Sequence, residues 1–133
     1  MANATVQWLG GKKFLGVDST SHSVVLSTPS DGIGMKPSEM LLVALASCTA
    51  VDVVEILEKK RIVLQGLEIK VSAEQDAEPP WTFRKIHLKY LLKGEKLDMK
   101  SAKQAVRLSE EKYCSVAATV RGIAEISWDI ELV

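Results

Sequence analysis

Two cysteines, Cys48 and Cys114, are the residues of this chain whose type could carry covalent chemistry. A cysteine attacks as its thiolate. Oxidised by two electrons, it becomes a sulfenic acid that a second thiol converts to a disulfide. Free cysteine is also commonly buried as a small hydrophobe, so packing is the bland alternative for each. The surroundings favour more than packing. Cys48 lies in the small-residue patch Ala44-Leu45-Ala46-Ser47-Cys48-Thr49-Ala50, and Cys114 opens a second, Cys114-Ser115-Val116-Ala117-Ala118-Thr119. Small side chains let a substrate or a partner backbone approach closely. Two cysteines do not complete a tetrahedral zinc site, and His22 and His87 are far from both in sequence, so no metal is expected.

The elements that must position these thiols follow from hydrophobic period and turn chemistry. Thr5 to Leu9 alternates and Gly10-Gly11 marks a turn; Phe14 to Val17 and His22 to Thr28 read as two more strands, the last ended by Pro29. Pro29 to Pro37, with Gly32 and Gly34, reads as a loop. Pro37 suits the first turn of a helix, and Ser38 to Lys60 contains neither Gly nor Pro. Within it Leu41, Leu45, Cys48, Asp52 and Glu55 recur at helical spacing and share a face. The run Met40 to Ala46 is apolar nearly all round, which predicts burial on every side.

Gly66 ends that region. Leu67 to Ala73 and Trp81 to Leu92 alternate as strands, the second with a phase slip near Arg84, and Glu78-Pro79-Pro80 provides the hairpin between them. Asp98 is a candidate N-cap for a helix running to about Tyr113, with Cys114 at its end, and Ile123 to Leu132 alternates as a last strand. The order β-β-β-α-β-β-α-β predicts a single α+β domain over residues 1–133 with mostly antiparallel sheet. A helix apolar on all sides is hard to cover in so small a monomer; two sheets wrapping paired helices in a homodimer would cover it.

The bulk numbers narrow the function classes. At 133 residues the chain is long enough to bury a core without disulfide staples. Seventeen basic and seventeen acidic residues cancel, which argues against a nucleic-acid or anionic-membrane surface. Met1 to Gly16 lacks the apolar stretch of a signal peptide, and the longest uninterrupted apolar run, Met40 to Ala46, is far short of the ~20 residues that span a bilayer. The expected location is therefore the cytoplasm, where a cysteine pair is more often catalytic or redox-active than a permanent disulfide.

The run Gly34-Met35-Lys36-Pro37-Ser38-Glu39-Met40-Leu41-Leu42-Val43-Ala44-Leu45-Ala46-Ser47-Cys48 resembles the motif that opens the central helix of the OsmC/Ohr family. There a Gly-x-x-Pro turn leads into an alanine-rich helix carrying the first cysteine. Tyr113-Cys114-Ser115-Val116-Ala117-Ala118-Thr119-Val120-Arg121-Gly122 resembles that family's second cysteine motif. The element order matches as well, so the resemblance spans nearly the whole chain. It implies an intertwined homodimer with sites at the subunit interface, reducing organic hydroperoxides without metal or bound cofactor. By the same resemblance Cys48 is the peroxidatic cysteine and Cys114 the resolving one, recycled by a dithiol reductant. Phe14, Met35, Met40, Leu41 and Trp81 are the expected apolar lining.

The resemblance departs at two places. The family's best-studied peroxidases hold the thiolate with an arginine from the N-terminal β region, whereas this chain has no arginine before Arg61 and offers there only Lys12, Lys13 and Lys36. Arg84, Arg107 and Arg121 read as surface or ion-pair residues. The family glutamate ten positions before the first cysteine is Ser38 here, and the candidate carboxylate, Glu39, is one position late. On a continuous helix at about 100° per residue Glu39 lies about 180° from Cys48, where its simplest role is to favour the helix N-terminus. Asp52 follows Cys48 by one turn, and unpaired it would raise the thiol pKa. Trp8, Trp81 and Trp128 read as sheet packing, His22 and His87 as surface or half-buried strand residues, and Glu110-Glu111-Lys112 as an exposed last turn.

Overall fold

The computed structural model describes all residues, Met1 to Val133, as two compact units, Met1–Leu41 and Leu42–Val133. In the first, β1 (Ala4–Trp8), β2 (Lys13–Asp18) and β3 (Ser23–Ser27) form an antiparallel meander in the order β1-β2-β3. Gly10 and Gly11 turn the chain at φ +98° and +54°, conformations that disfavour a Cβ, so Trp8 comes to pair with Phe14. The loop after β3 is held by backbone contact. Met35 N donates to Val25 O at 2.9 Å, and Ser27 N to Met35 O at 3.1 Å. Gly34 is required here: a Cβ on it would stand 2.7 Å from the Leu26 carbonyl carbon and 2.8 Å from Ser27 N.

Helix α1 (Pro37–Lys59) leaves this loop and runs unbroken for 23 residues. An 18-residue stretch of it has a mean hydropathy of 2.1, long and apolar enough by length and composition alone to cross a bilayer, a test that a core helix also passes. The buried stripe is Leu45, Thr49, Val53 and Leu57. Of the residues expected to share a face, Leu45 is buried, Cys48 and Asp52 are half-buried, and Leu41 and Glu55 are exposed; Val43 and Val51 are exposed too, so a single chain does not bury α1 on every side.

In the second unit β4 (Leu64–Gln75), β5 (Phe83–Gly94) and β6 (Glu125–Leu132) form a sheet in the order β4-β5-β6. β4 and β5 pair antiparallel, while β5 and β6 pair parallel because the helical segment between them carries the chain back to its starting end. Alternation sends Ile86, Leu88, Tyr90 and Leu92 inward, all fully buried, with Lys85, His87 and Lys89 on the outer face. Trp128 and Ile130, opposite Leu88 and Tyr90, pack partly buried against the same core. Each large apolar side chain fully buried there contributes roughly 1.5–3 kcal/mol over its exposed state. Trp8 and Trp81, by contrast, are exposed.

The phase slip near Arg84 is a bulge. Glu74 pairs with Lys85 and Gln75 with Phe83, which leaves Arg84 out of register. Its guanidinium instead forks onto Asp76, with Nε and Nη2 donating at 2.9–3.1 Å, and so holds the Asp76 carboxyl below its ordinary pKa.

α2 (Met99–Leu108) starts where its cap was expected. Asp98 Oδ1 accepts from Ser101 N at 2.8 Å. The helix does not continue to Tyr113. Ser109–Tyr113 widens into a π-turn, Cys114 is extended, and a short helix α3 (Ser115–Val120), absent from the sequence reading, follows.

Candidate active site

Both thiols belong to the second unit and both are free. Cys48 projects from α1, half-buried beside the Leu45–Thr49 stripe. Cys114 is held by its backbone: its N–H donates to Ser109 O at 2.8 Å across the π-turn, and its extended conformation makes it the N-cap of α3. The cap uses sulfur, with Ala117 N donating to Cys114 Sγ at 3.3 Å. Only 3% of Cys114 is exposed, against a half-buried Cys48, so solvent meets Cys48 first.

Residues 66 positions apart in sequence thus pack against the same core, with Cys48 near enough to Cys114 to act on its pKa. Burial, then the Cys48 thiol beside it, push the Cys114 pKa up to about 11, against the opposing pull of the Ala117 and Val116 amides. Cys114 is therefore a protonated thiol at neutral pH.

A polar cluster surrounds the pair. The Ser109 hydroxyl donates to Asp52 Oδ2 at 2.8 Å and lies 3.4 Å from Thr49 O. Asp52 is thereby partnered. The fully buried Tyr90 donates its hydroxyl to Glu110 Oε1 at 3.1 Å, and the buried Thr49 hydroxyl donates to Ala46 O at 2.9 Å. Arg121 Nη2 donates to the Glu110 carbonyl. Burial raises the Glu110 pKa, opposed by the Tyr90 hydrogen bond and the Arg121 charge; burial also raises that of Tyr90 far above its ordinary value.

Glu110 corrects the sequence reading of an exposed last turn, since only 5% of it is exposed. Tyr90, Thr49 and Ser109 were not singled out either. Tyr90 had a signal, because the inward phase of β5 buries its hydroxyl, and a buried hydroxyl needs a partner. Glu110 had none, because a π-turn shifts the helical phase on which the exposure reading rested. Arg121 lies within the second cysteine motif, and its contact with the Glu110 carbonyl brings it to the turn before Cys114. Arg84 forms the expected ion pair. Glu39 stands in the first turn of α1, 3.8 Å from Lys36 Nζ. His87 lies between Ser127 Oγ and Asp129 Oδ1, at 2.7 and 2.5 Å, on the exposed outer face of the sheet.

Comparison with known proteins places the chain in a family. Residues 29–129 match the family model for OsmC-like protein. The chain is 36% identical over 130 residues to protein YhfA of Escherichia coli K12, covering 98% of this chain and 97% of YhfA. It superposes on a hypothetical protein from Aquifex aeolicus with a TM-score of 0.85 at 31% identity, covering 100% of this chain and 98% of that one. The organic hydroperoxide resistance protein OhrB of Bacillus subtilis, 18% identical, has the same fold with a TM-score of 0.65 over 98% of both chains. The chain belongs to the OsmC-like protein family.

Proposed function

We propose that this protein is a two-cysteine peroxidase that reduces organic hydroperoxides, with Cys48 peroxidatic and Cys114 resolving. The observation that carries the proposal is that two free thiols from separate elements, Cys48 half-buried on α1 and Cys114 buried at the start of α3, pack against one core. Two relatives of the same fold, from Bacillus subtilis and Legionella pneumophila, are named organic hydroperoxide resistance proteins, which supports the substrate class. In the first step Cys48 S⁻ attacks the outer oxygen of ROOH; the O–O bond breaks, the leaving alkoxide takes a proton from solvent to become ROH, and Cys48 becomes a sulfenic acid. Cys114 then attacks that sulfur, forming the disulfide and releasing water. A dithiol reductant restores both thiols by exchange.

Glu39 enters only as a carboxylate at the start of α1. An unchanged rate of Cys48 oxidation in Glu39→Gln would remove it from the mechanism. A homodimer is part of the proposal, because Leu41, Val43 and Val51 leave apolar surface of α1 exposed in one chain. Light scattering should give about twice the 14.6 kDa chain mass; a clean monomer would remove the dimer.

The test is a thiol count and mass spectrum after one equivalent of cumene hydroperoxide. Loss of both thiols within seconds, with a Cys48–Cys114 disulfide, is expected. Cys48→Ser should abolish peroxide consumption, and Cys114→Ser should stop after one turnover with a trapped sulfenic acid. The absence of arginine before Arg61 favours a second reading, binding of a small apolar or thiol-reactive compound without turnover. Thiols unchanged after many minutes would select it.

A further inference from the structure

The peroxidase cycle uses two sulfur atoms and leaves the most unusual part of the core unexplained. Tyr90 and Thr49 are fully buried and Glu110 nearly so. Removing a carboxyl and a phenol from water is costly, and apolar side chains of similar volume generally fill a core at no loss of stability. Nor are these groups scattered. Thr49 directly follows Cys48 on α1, Glu110 stands four residues before Cys114 in the π-turn, and the Tyr90 hydroxyl, reaching from β5, donates to Glu110.

The π-turn is the second part of the argument. Its wide loop, closed by Cys114 N on Ser109 O at 2.8 Å, moves Cys114 around the axis from where an α-helix would place it. Such a turn persists only where its surroundings hold it. Here the Glu110 side chain is held by Tyr90, its carbonyl by Arg121, and the neighbouring Ser109 by Asp52.

We propose that Tyr90 and Glu110 are positioning residues for disulfide closure, holding the π-turn so that Cys114 faces Cys48. This rests on the two-cysteine reading but assigns the pair to one step of it. In that step the Cys114 S–H attacks Cys48–SOH, the S–S bond forms, the S–O bond breaks, and the Cys114 proton leaves with the hydroxyl as water. Neither residue touches the peroxide, so the attack on ROOH does not depend on them.

The experiment compares Tyr90→Phe, Glu110→Leu and Glu110→Gln with the parent protein. Dimedone trapping times the sulfenic acid and quenched alkylation times the disulfide. Tyr90→Phe and Glu110→Leu should leave the Cys48 oxidation rate within about twofold and slow closure by about tenfold or more, the size expected when a reacting group is misplaced by a fraction of an ångström. Glu110→Gln, whose amide oxygen can still accept from Tyr90, should restore closure to within about threefold of the parent.

Equal slowing of attack and closure, or unchanged closure in folded Tyr90→Phe, would overturn the assignment. Should Glu110→Leu fail to fold, Tyr90→Phe and Glu110→Gln still decide it. The same closure is also timed with diamide, a diazene that forms an adduct on one thiol and is displaced by the other as the hydrazine. If the parent ignores cumene hydroperoxide but closes with diamide, the peroxidase reading fails, and the diamide rates alone judge the positioning role.

Discussion

The Ser109 hydroxyl donates to Asp52 Oδ2 at 2.8 Å, joining the turn that carries Cys114 to the helix turn that follows Cys48. Ser109 is fully buried, and a hydrogen bond to a carboxylate is worth more than one between neutral groups. Ser109→Ala should lower stability by about 1–3 kcal/mol in urea unfolding. A loss within error would show that water replaces the hydroxyl at no cost.

The Cys114 thiol should resist alkylation at neutral pH. Burial, the first cause of its high pKa, keeps it protonated until the pH nears about 11. In Cys48→Ser the contribution of the neighbouring thiol is gone, so the midpoint of iodoacetamide reactivity should fall below that value. It should stay above the ordinary thiol value, because burial remains. Rapid labelling at pH 7 would show that the π-turn opens readily.

Glu110 makes stability depend on pH in a direction opposite to that of most carboxylates. Its folded pKa is raised, so the protonated form is the one favoured by folding. The contribution is fully present below the unfolded value of about 4.3 and is lost as pH rises through the folded value. Compared with Glu110→Gln, the parent should therefore lose relative stability on going upward from about pH 4. Parallel stability curves for the two proteins would refute the raised pKa.

Gly34→Ala probes the first unit alone. The added methyl would stand 2.7 and 2.8 Å from backbone atoms of Leu26 and Ser27, which cannot swing aside as a side chain can. Either the bridge between Leu26 and Met35 opens or the loop moves. Hydrogen exchange at Ser27 and Met35, whose amides are bonded across this contact, should accelerate by about tenfold or more, the equivalent of 1.4 kcal/mol. Unchanged exchange would mean that the backbone absorbs the methyl.

Local physics made much of this molecule legible in its sequence. Period-two alternation and turn residues marked the six strands to within a few residues, a gap-free helical composition marked α1, and Asp98 marked the start of α2, because each depends on neighbours a few positions away. Even the bulge at Arg84 left a visible break in phase. The two cysteines stood out by type and by the small residues around them.

What only the tertiary structure decided is who meets whom. Cys114 takes its buried place in the core after a π-turn, which has no compositional signature, redirects the chain past Leu108. The parallel pairing of β6 on β5 follows from the path of the crossover between them, and that same path buries Glu110 against Tyr90. A charged residue in a run of charges reads as exposed, since the cost of burial is decided by partners, and those partners lie on strands and helices distant in sequence.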